Sequence, residues 1–133
     1  MGAARIRVID LPALVGTAIA TTGALTTKAI DNTRYLGDAV GLHLVAAGTA
    51  VDLDCTLTVA VKPLDTYVIP YSSDGSSLGL VFDAAGASGT ALDHISSFSP
   101  ALAPYFKVTV TGGAANDATT ISRAELIVQE NIY

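Results

Sequence analysis

Between Val51 and Val61 the chain alternates. Val51, Leu53, Cys55, Leu57, Val59 and Val61 fall on one side of an extended backbone, and Asp52, Asp54, Thr56, Thr58, Ala60 and Lys62 fall on the other. Wound into a helix, the same residues would scatter apolar groups around the whole surface, and the β-branched Val and Thr favour the pleat. The pattern therefore predicts a central strand of an antiparallel sheet with one face on a core. The rhythm recurs three times. Val40 to Ala47 places Leu42, Leu44 and Ala46 opposite His43 and Val45. Tyr105 to Thr111 turns Phe106, Val108 and Val110 inward, and Thr119 to Gln129 sets Ala124, Leu126 and Val128 against Arg123, Glu125, Ile127 and Gln129. Gly48, Thr49 and Ala50 predict a tight turn that folds the strand before them back onto the central one.

The remaining segments are shorter. Arg5 to Asp10 alternates until Pro12, which cannot donate to a ladder, so this stretch reads as an edge strand or as an arm laid on a neighbour. Val15 to Leu25 has no clear period. Thr26 to Asp31, Thr66 to Tyr71, Leu78 to Phe82 and Ala91 to Ile95 predict short strands. Tyr71 to Ser77 reads as an exposed, mobile loop, Asp83 to Gly89 as a linker, and the proline-bracketed Phe98 to Pro104 as a crossing between sheets. Roughly seven to nine short strands separated by turns predict an all-β fold, an antiparallel two-sheet β-sandwich or jelly roll. Residues 1–25 form its extended N-terminal arm or edge segment, and 26–133 its single domain.

Composition narrows the function. A chain of 133 residues supports one domain with a real core. Half of its residues are hydrophobic and only 14% charged, so a free monomer has little to keep it from associating; an oligomer or a subunit of something larger is expected. The net charge of -5 is spread along the chain with no basic patch, which argues against nucleic acid as a direct partner. Cys55 points inward on a core strand and reads as a small buried hydrophobe. Arg5 and Arg7 precede an apolar run, and Ala18, Ile19 and Ala20 look like a signal-peptidase site, but Asp10 and Pro12 interrupt the run. No apolar run approaches the ~20 residues that cross a bilayer, so the expectation is an uncleaved, soluble chain with no membrane partner.

Candidate chemistry is sparse. The two imidazoles are His43 and His94. Asp93 and His94 stand near Ser96 and Ser97, but neighbouring strand residues point to opposite faces, and no Gly-x-Ser-x-Gly elbow is present. Asp52 and Asp54 share a face and could hold a cation or act as paired carboxylates. With no third oxygen ligand at hand, a solvated face is the simpler account. The glycines at 86, 89, 112 and 113 lack the lysine and helix of a phosphate-binding loop, and read as turns. No catalytic residue, cofactor or metal is expected, and the chain reads as a non-enzyme.

The layout resembles small tailed-bacteriophage virion proteins with β-sandwich folds. The resemblance rests on the segment from Gly16, Thr17 and Ala18 to Thr27, Lys28, Ala29, Ile30 and Asp31, on the strand Gly41 to Gly48, and on the long strand Val51 to Val61. It also rests on Phe98, Ser99 and Pro100 leading through Ala103, Pro104 and Tyr105 to Val110. It implies a capsid decoration or cement protein that binds and stabilises the head shell, or a structural component of the tail. Its partners would be the major capsid protein or other virion subunits, with self-association into a homo-oligomer, trimers included, and assembly into the virion in the host cytoplasm. Such a role needs contact surfaces rather than a pocket. Arg5, Arg7 and Val8 in the arm, and Tyr35, Tyr67, Tyr105 and Tyr133, are the candidate interface residues, each tyrosine serving equally well as a core cap. A carbohydrate-binding or adhesin-like β-sandwich module is the alternative. It would need aromatic rings along a groove, and the chain has no Trp and five Tyr.

Overall fold

The longest alternating stretch becomes one strand of 26 residues, Tyr35–Ala60, and the other elements are laid along it. In the computed structural model, which describes residues 4–100 and 103–131, the strands in chain order are β1 (Ala4–Asp10), β2 (Ala18–Ile19), β3 (Ala24–Thr26), β4 (Ile30–Asp31), β5 (Tyr35–Ala60), β6 (Leu80–Phe98), β7 (Tyr105–Gly112) and β8 (Thr119–Asn131). Helical structure among the described residues is confined to two short 3-10 turns, Pro12–Leu14 and Asn32–Arg34. All pairings between named strands are antiparallel. They join into one sheet in the order β1-β8-β5-β7-β3, with β2 on β8, β4 on β7 and β6 on β5, curled into a half-barrel.

A strand has two edges. β6 runs along one edge of β5, from Val40 opposite Phe98 to Thr56 opposite Leu80. The other edge is shared: β8 pairs with Gly41 to Ala47, and β7 pairs with Leu53 to Ala60. Where β5 passes from one neighbour to the next, its register against β6 slips between Ala47 and Val51 and again between Val51 and Leu53, and such irregularities bend a strand. The sheet thus has two limbs, β1-β8 on one side of the bend and β7 with β3 and β4 on the other.

The turn predicted at Gly48 to Ala50 is absent, because the chain runs through these residues as strand. Gly48 serves close approach instead. A Cβ placed there would stand 2.8 Å from the Ala118 carbonyl oxygen and from the Thr119 Cα, so only glycine lets β5 pass under the turn between β7 and β8. The predicted linker Asp83 to Gly89 is likewise part of β6. It is irregular there, with positive φ at Ala84 (51°) and Gly86 (78°), and Gly86 sits where a Cβ would strike Val51. Thr66 to Tyr71 makes only isolated bridges, and Thr26 to Asp31 divides between the ends of β3 and β4.

The inward faces match the alternation. Leu42, Leu44, Leu53, Leu57, Phe106, Val108, Val110 and Leu126 are fully buried, while Val61, past the end of β5, is exposed. The N-terminal stretch lies at the end of the sheet: β1 pairs with β8 from Ala4 opposite Asn131 to Asp10 opposite Glu125, and Leu11, Leu14 and Ile19 enter the core.

At the bend the connection between β7 and β8 is fixed by a buried polar residue. Asn116 donates from Nδ2 to the Ile19 carbonyl at 2.8 Å, and its Oδ1 accepts from the Thr119 hydroxyl at 2.6 Å and from the Asp52 amide at 3.2 Å. One side chain ties β5, β8 and the N-terminal segment together.

Gly48→Ala is expected to destabilise the protein by about 1–3 kcal/mol, because the new methyl meets backbone that cannot swing aside. Urea unfolding checks this; a midpoint unchanged from wild type would mean that β5 does not pass this close to Thr119.

Candidate functional site

Residues 61–79 connect β5 to β6 as a tongue that is built rather than slack. The Val59 and Val68 amides each donate to the other's carbonyl, at 2.8 and 2.9 Å, and the Leu57 amide donates to the Gly79 carbonyl at 2.6 Å. Further out, the Leu78 amide donates to the Pro70 carbonyl and the Ser72 amide to the Ser76 carbonyl, both at 2.8 Å. The Asp74 carboxylate accepts from the Ser72 hydroxyl and from the Ser76 amide, which hold it well below the usual carboxylate range, at about 2. At the base, the Tyr67 hydroxyl donates to the Pro63 carbonyl at 3.0 Å, and the Lys107 ammonium lies 4.3 Å from the centre of the Tyr67 ring.

This ordered tongue carries its apolar side chains outward. Of the eleven large hydrophobic side chains exposed among the described residues, six lie on it, Val61, Leu64, Val68, Ile69, Tyr71 and Leu78, a seventh, Leu80, stands where it joins β6, and Leu64 is 99% exposed. Single exposed hydrophobics are ordinary, but this concentration on one connection between two strands is the mark of a contact surface. The pattern predicts short strands at Thr66 to Tyr71 and Leu78 to Phe82, but only Leu80 to Phe82 is strand, as the start of β6. The proline at 63 and the serine-rich turn, which lift this segment off the sheet, were the available signal against that.

The predicted interface residues divide. Tyr67 and Tyr105 lie near one another at the foot of the tongue, each half-buried, with the Lys107 ammonium of β7 over the Tyr67 ring. Arg5, Arg7 and Val8 lie exposed on β1, on the other limb of the sheet. Tyr133 and the side chain of Tyr35 lie outside the described residues.

The outer face of the β8-β5-β6 limb holds a charged network. His43 stands on β5 directly opposite Glu125 on β8, and Asp93 on β6 lies diagonally across. His43 Nδ1 is 3.0 Å from Glu125 Oε1, and Nε2 is 2.7 Å from Asp93 Oδ1. Arg123 closes on the far side of Glu125, with Nε 2.6 Å from Oε1 and Nη2 3.2 Å from Oε2. Both ring nitrogens face carboxylate oxygens, so both must donate, which makes the ring an imidazolium. The bond to Glu125 and then the bond to Asp93 push the His43 pKa up; His43 and then Arg123 pull that of Glu125 down. His43 and Glu125 are sheltered, at 15% and 11% side-chain exposure, whereas Asp93 is 73% exposed and its share is screened by solvent.

The other candidates are structural. Asp52 accepts the Ala115 amide at 3.2 Å and shapes the turn after β7; Asp54 accepts the Ala84 amide at 2.6 Å and holds the irregular stretch of β6. Asp83 lies beside Asp54, and that neighbour pushes the Asp83 carboxyl pKa up. No group of three metal-ligating side chains is gathered among the described residues. His94 Nε2 meets Ser96 Oγ at 2.6 Å, but Asp93 is turned to the opposite face and engaged with His43, so the three do not line up as a relay. Cys55 is fully buried, and burial pushes its thiol pKa up.

No family model matches the chain, and no curated protein does. Among solved structures it is similar to a serine protease of Aeromonas sobria, with a TM-score of 0.51 and 14% identity. The likeness is one of fold alone. It takes in 98% of this chain and 27% of that one, so the chain spans about a quarter of the protease's length.

Folding raises the proton affinity of His43, so its contribution to stability is complete below the ordinary histidine value of 6.5 and is lost as pH rises through the elevated folded value. Glu125 contributes above its ordinary 4.5 until its carboxylate protonates; as pH falls through its lowered folded value, that contribution goes. Thermal unfolding followed across pH should therefore show greatest stability between about 4.5 and 6.5 from this network. His43→Gln should flatten the alkaline limb and leave the acid limb; an unchanged alkaline limb would show that the imidazolium is not held as described.

Proposed function

We propose that this protein is a non-enzymatic contact protein of a virion, a capsid decoration or cement subunit that docks on the head shell through its apolar tongue. The observation that carries the reading is the concentration of exposed Leu, Ile, Val and Tyr side chains on a hydrogen-bonded connection that no folding requirement explains. A flexible loop would lose entropy on docking, whereas a tongue already tied through Val68 and Gly79 to Leu57 and Val59 of β5 loses little, so more of its apolar burial is kept as affinity. The pattern-level resemblance to small phage virion proteins supplies the setting. In this reading the two limbs of the curled sheet act as the layers of a jelly-roll-like sandwich, a rigid body between two contacts. The protein works as part of the particle, with the major capsid protein or another virion subunit as partner.

The test is co-sedimentation of the purified protein with empty shells of its own major capsid protein. Saturable pelleting is expected, reduced at least tenfold in affinity by Leu64→Asp combined with Leu80→Asp, for a loss of about 1.4 kcal/mol or more. Both side chains are exposed, so the melting temperature should move by only a few degrees. A protein that leaves the shells bare but is retained on a glycan column would overturn this reading in favour of the carbohydrate-binding one.

A further inference from the structure

The sheet ends at β1 with a straight edge. The register of β1 on β8 is unbroken from Ala4 opposite Asn131 to Asp10 opposite Glu125, and no strand among the described residues pairs with its other side. The edge at β6 is different. There slipped registers and the left-handed Ala84 and Gly86 interrupt the strand, features that keep an edge from pairing. The hydrogen bonds of β1 show what its own edge offers. The Leu11 amide donates to the Ala124 carbonyl at 2.9 Å, continuing the register of β1 on β8. In an antiparallel pair every second residue bonds to the same neighbour. Ile9, Arg7 and Arg5 therefore turn their peptide groups toward β8, and Asp10, Val8 and Ile6 turn theirs off the edge of the sheet. Cross-strand partners share a face. Arg7 and Ile9, opposite the buried Val128 and Leu126, take the inner face; Ile6 and Val8 take the outer one, where they are 62% and 53% exposed.

We infer that β1 is a self-pairing edge, to which a second copy of the chain adds its own β1, antiparallel, about a two-fold axis perpendicular to the sheet beside Val8. The two β1-β8-β5-β6 limbs then join edge to edge as one continuous sheet. A row of peptide groups directed off an edge is recognised by another extended backbone, which names the kind of occupant. The charges choose among the registers. Such an axis pairs residues of the same face, so the register shifts in steps of two. Centred on Arg7 it sets Arg7 against its own copy, and centred on Ile6 it sets Arg5 against Arg7 of the mate; like charges directly opposite are unfavourable. Centred on Val8, Arg7 meets Ile9 of the mate, Arg5 meets Leu11, Ile6 meets Asp10, and Val8 meets itself. No like charges are opposed. Asp10, which stands opposite Glu125 in its own sheet, has an isoleucine and no acid on its other side. The register also brings the two Val8 side chains together with an Ile6 diagonally beside each, so the exposed apolar groups of the edge cover one another. Ile6, Val8 and Asp10 of the two copies exchange about six main-chain hydrogen bonds. Contact through one strand of each copy is at the low end for a specific interface, so a reversible dimer with a dissociation constant on the order of 10 µM is expected. The edge is separate from the tongue, and the inference does not depend on what the tongue binds.

Sedimentation equilibrium of the full chain tests it, over about 2–200 µM, a range that brackets that dissociation constant. The weight-average mass should rise from 13.5 kDa toward twice that value. Val8→Lys and Val8→Glu each place like charges across the axis on an exposed position, and each should weaken the dimer at least tenfold. An equal mixture of the two should dimerise again, because in this register residue 8 meets only residue 8 of the mate. Amide hydrogen exchange of the wild-type chain gives a second readout that needs no substitution. Exchange at Ile6, Val8 and Asp10 should slow as concentration rises, while Arg7 and Ile9, already bonded to β8, should not change. A mass of 13.5 kDa throughout, a mass that climbs past twice that value, or a dimer that Val8→Lys leaves unchanged would overturn the inference. So would a Lys and Glu mixture that stays monomeric, or exchange at Ile6 and Val8 that ignores concentration. The Leu64→Asp and Leu80→Asp variant should dimerise normally, so failure of self-association and failure of shell docking are read separately.

Discussion

A β-strand can satisfy two neighbours along its length, and in this protein β5 must satisfy three. It gives one edge to β6 and divides the other between β8 and β7, and the rest of the structure follows from how that division is made. The handover needs a bend, the bend needs slipped registers against β6, and the turn between β7 and β8 must cross there at backbone contact distance. Gly48 makes the crossing sterically possible, and Asn116 makes it polar and specific by joining Asp52, Thr119 and Ile19. A buried amide whose groups are all engaged fixes one arrangement out of many, because any other would strand its donors in an apolar core.

Once β5 is bent, apolar faces from both limbs close on one another and the outer surfaces are left to other uses. Each limb has its own. At the β7 end, the long excursion between β5 and β6 presents hydrophobic side chains on a hydrogen-bonded frame. On the other limb, a four-stranded face carries the charged network of His43, Glu125, Asp93 and Arg123 beside a sparse set of exposed Ile and Val. The chain's low charge content is consistent with a surface meant to be covered.

The histidine network shows how a small number of charges can be held on an open sheet. An isolated surface ion pair contributes little. Here His43 is clasped from both sides, Glu125 is shared between His43 and Arg123, and the sheltered members sit beneath the exposed ones. Because a proton is part of the arrangement, the cross-strand link between β6, β5 and β8 is tied to pH. The same groups could not have been recognised as partners along the chain, since 82 residues separate His43 from Glu125.

The sequence by itself determined the all-β class and the inward faces. The two-residue alternation of Leu42 to Ala46, Val51 to Val59, Phe106 to Val110 and Ala124 to Val128 leaves no other way to bury those side chains together. It also placed His43 outward and Cys55 inward. It did not determine that Val40 to Ala60 is one strand. A glycine in an alternating run reads the same whether it turns the chain or admits a neighbouring backbone, and only the presence of Thr119 above Gly48 distinguishes the two. The tongue and the charged face were hidden for a related reason. Whether an apolar residue is core or surface depends on what the remainder of the chain brings over it, and for Leu64, Leu80, Ile95 and Val8 the fold brings nothing.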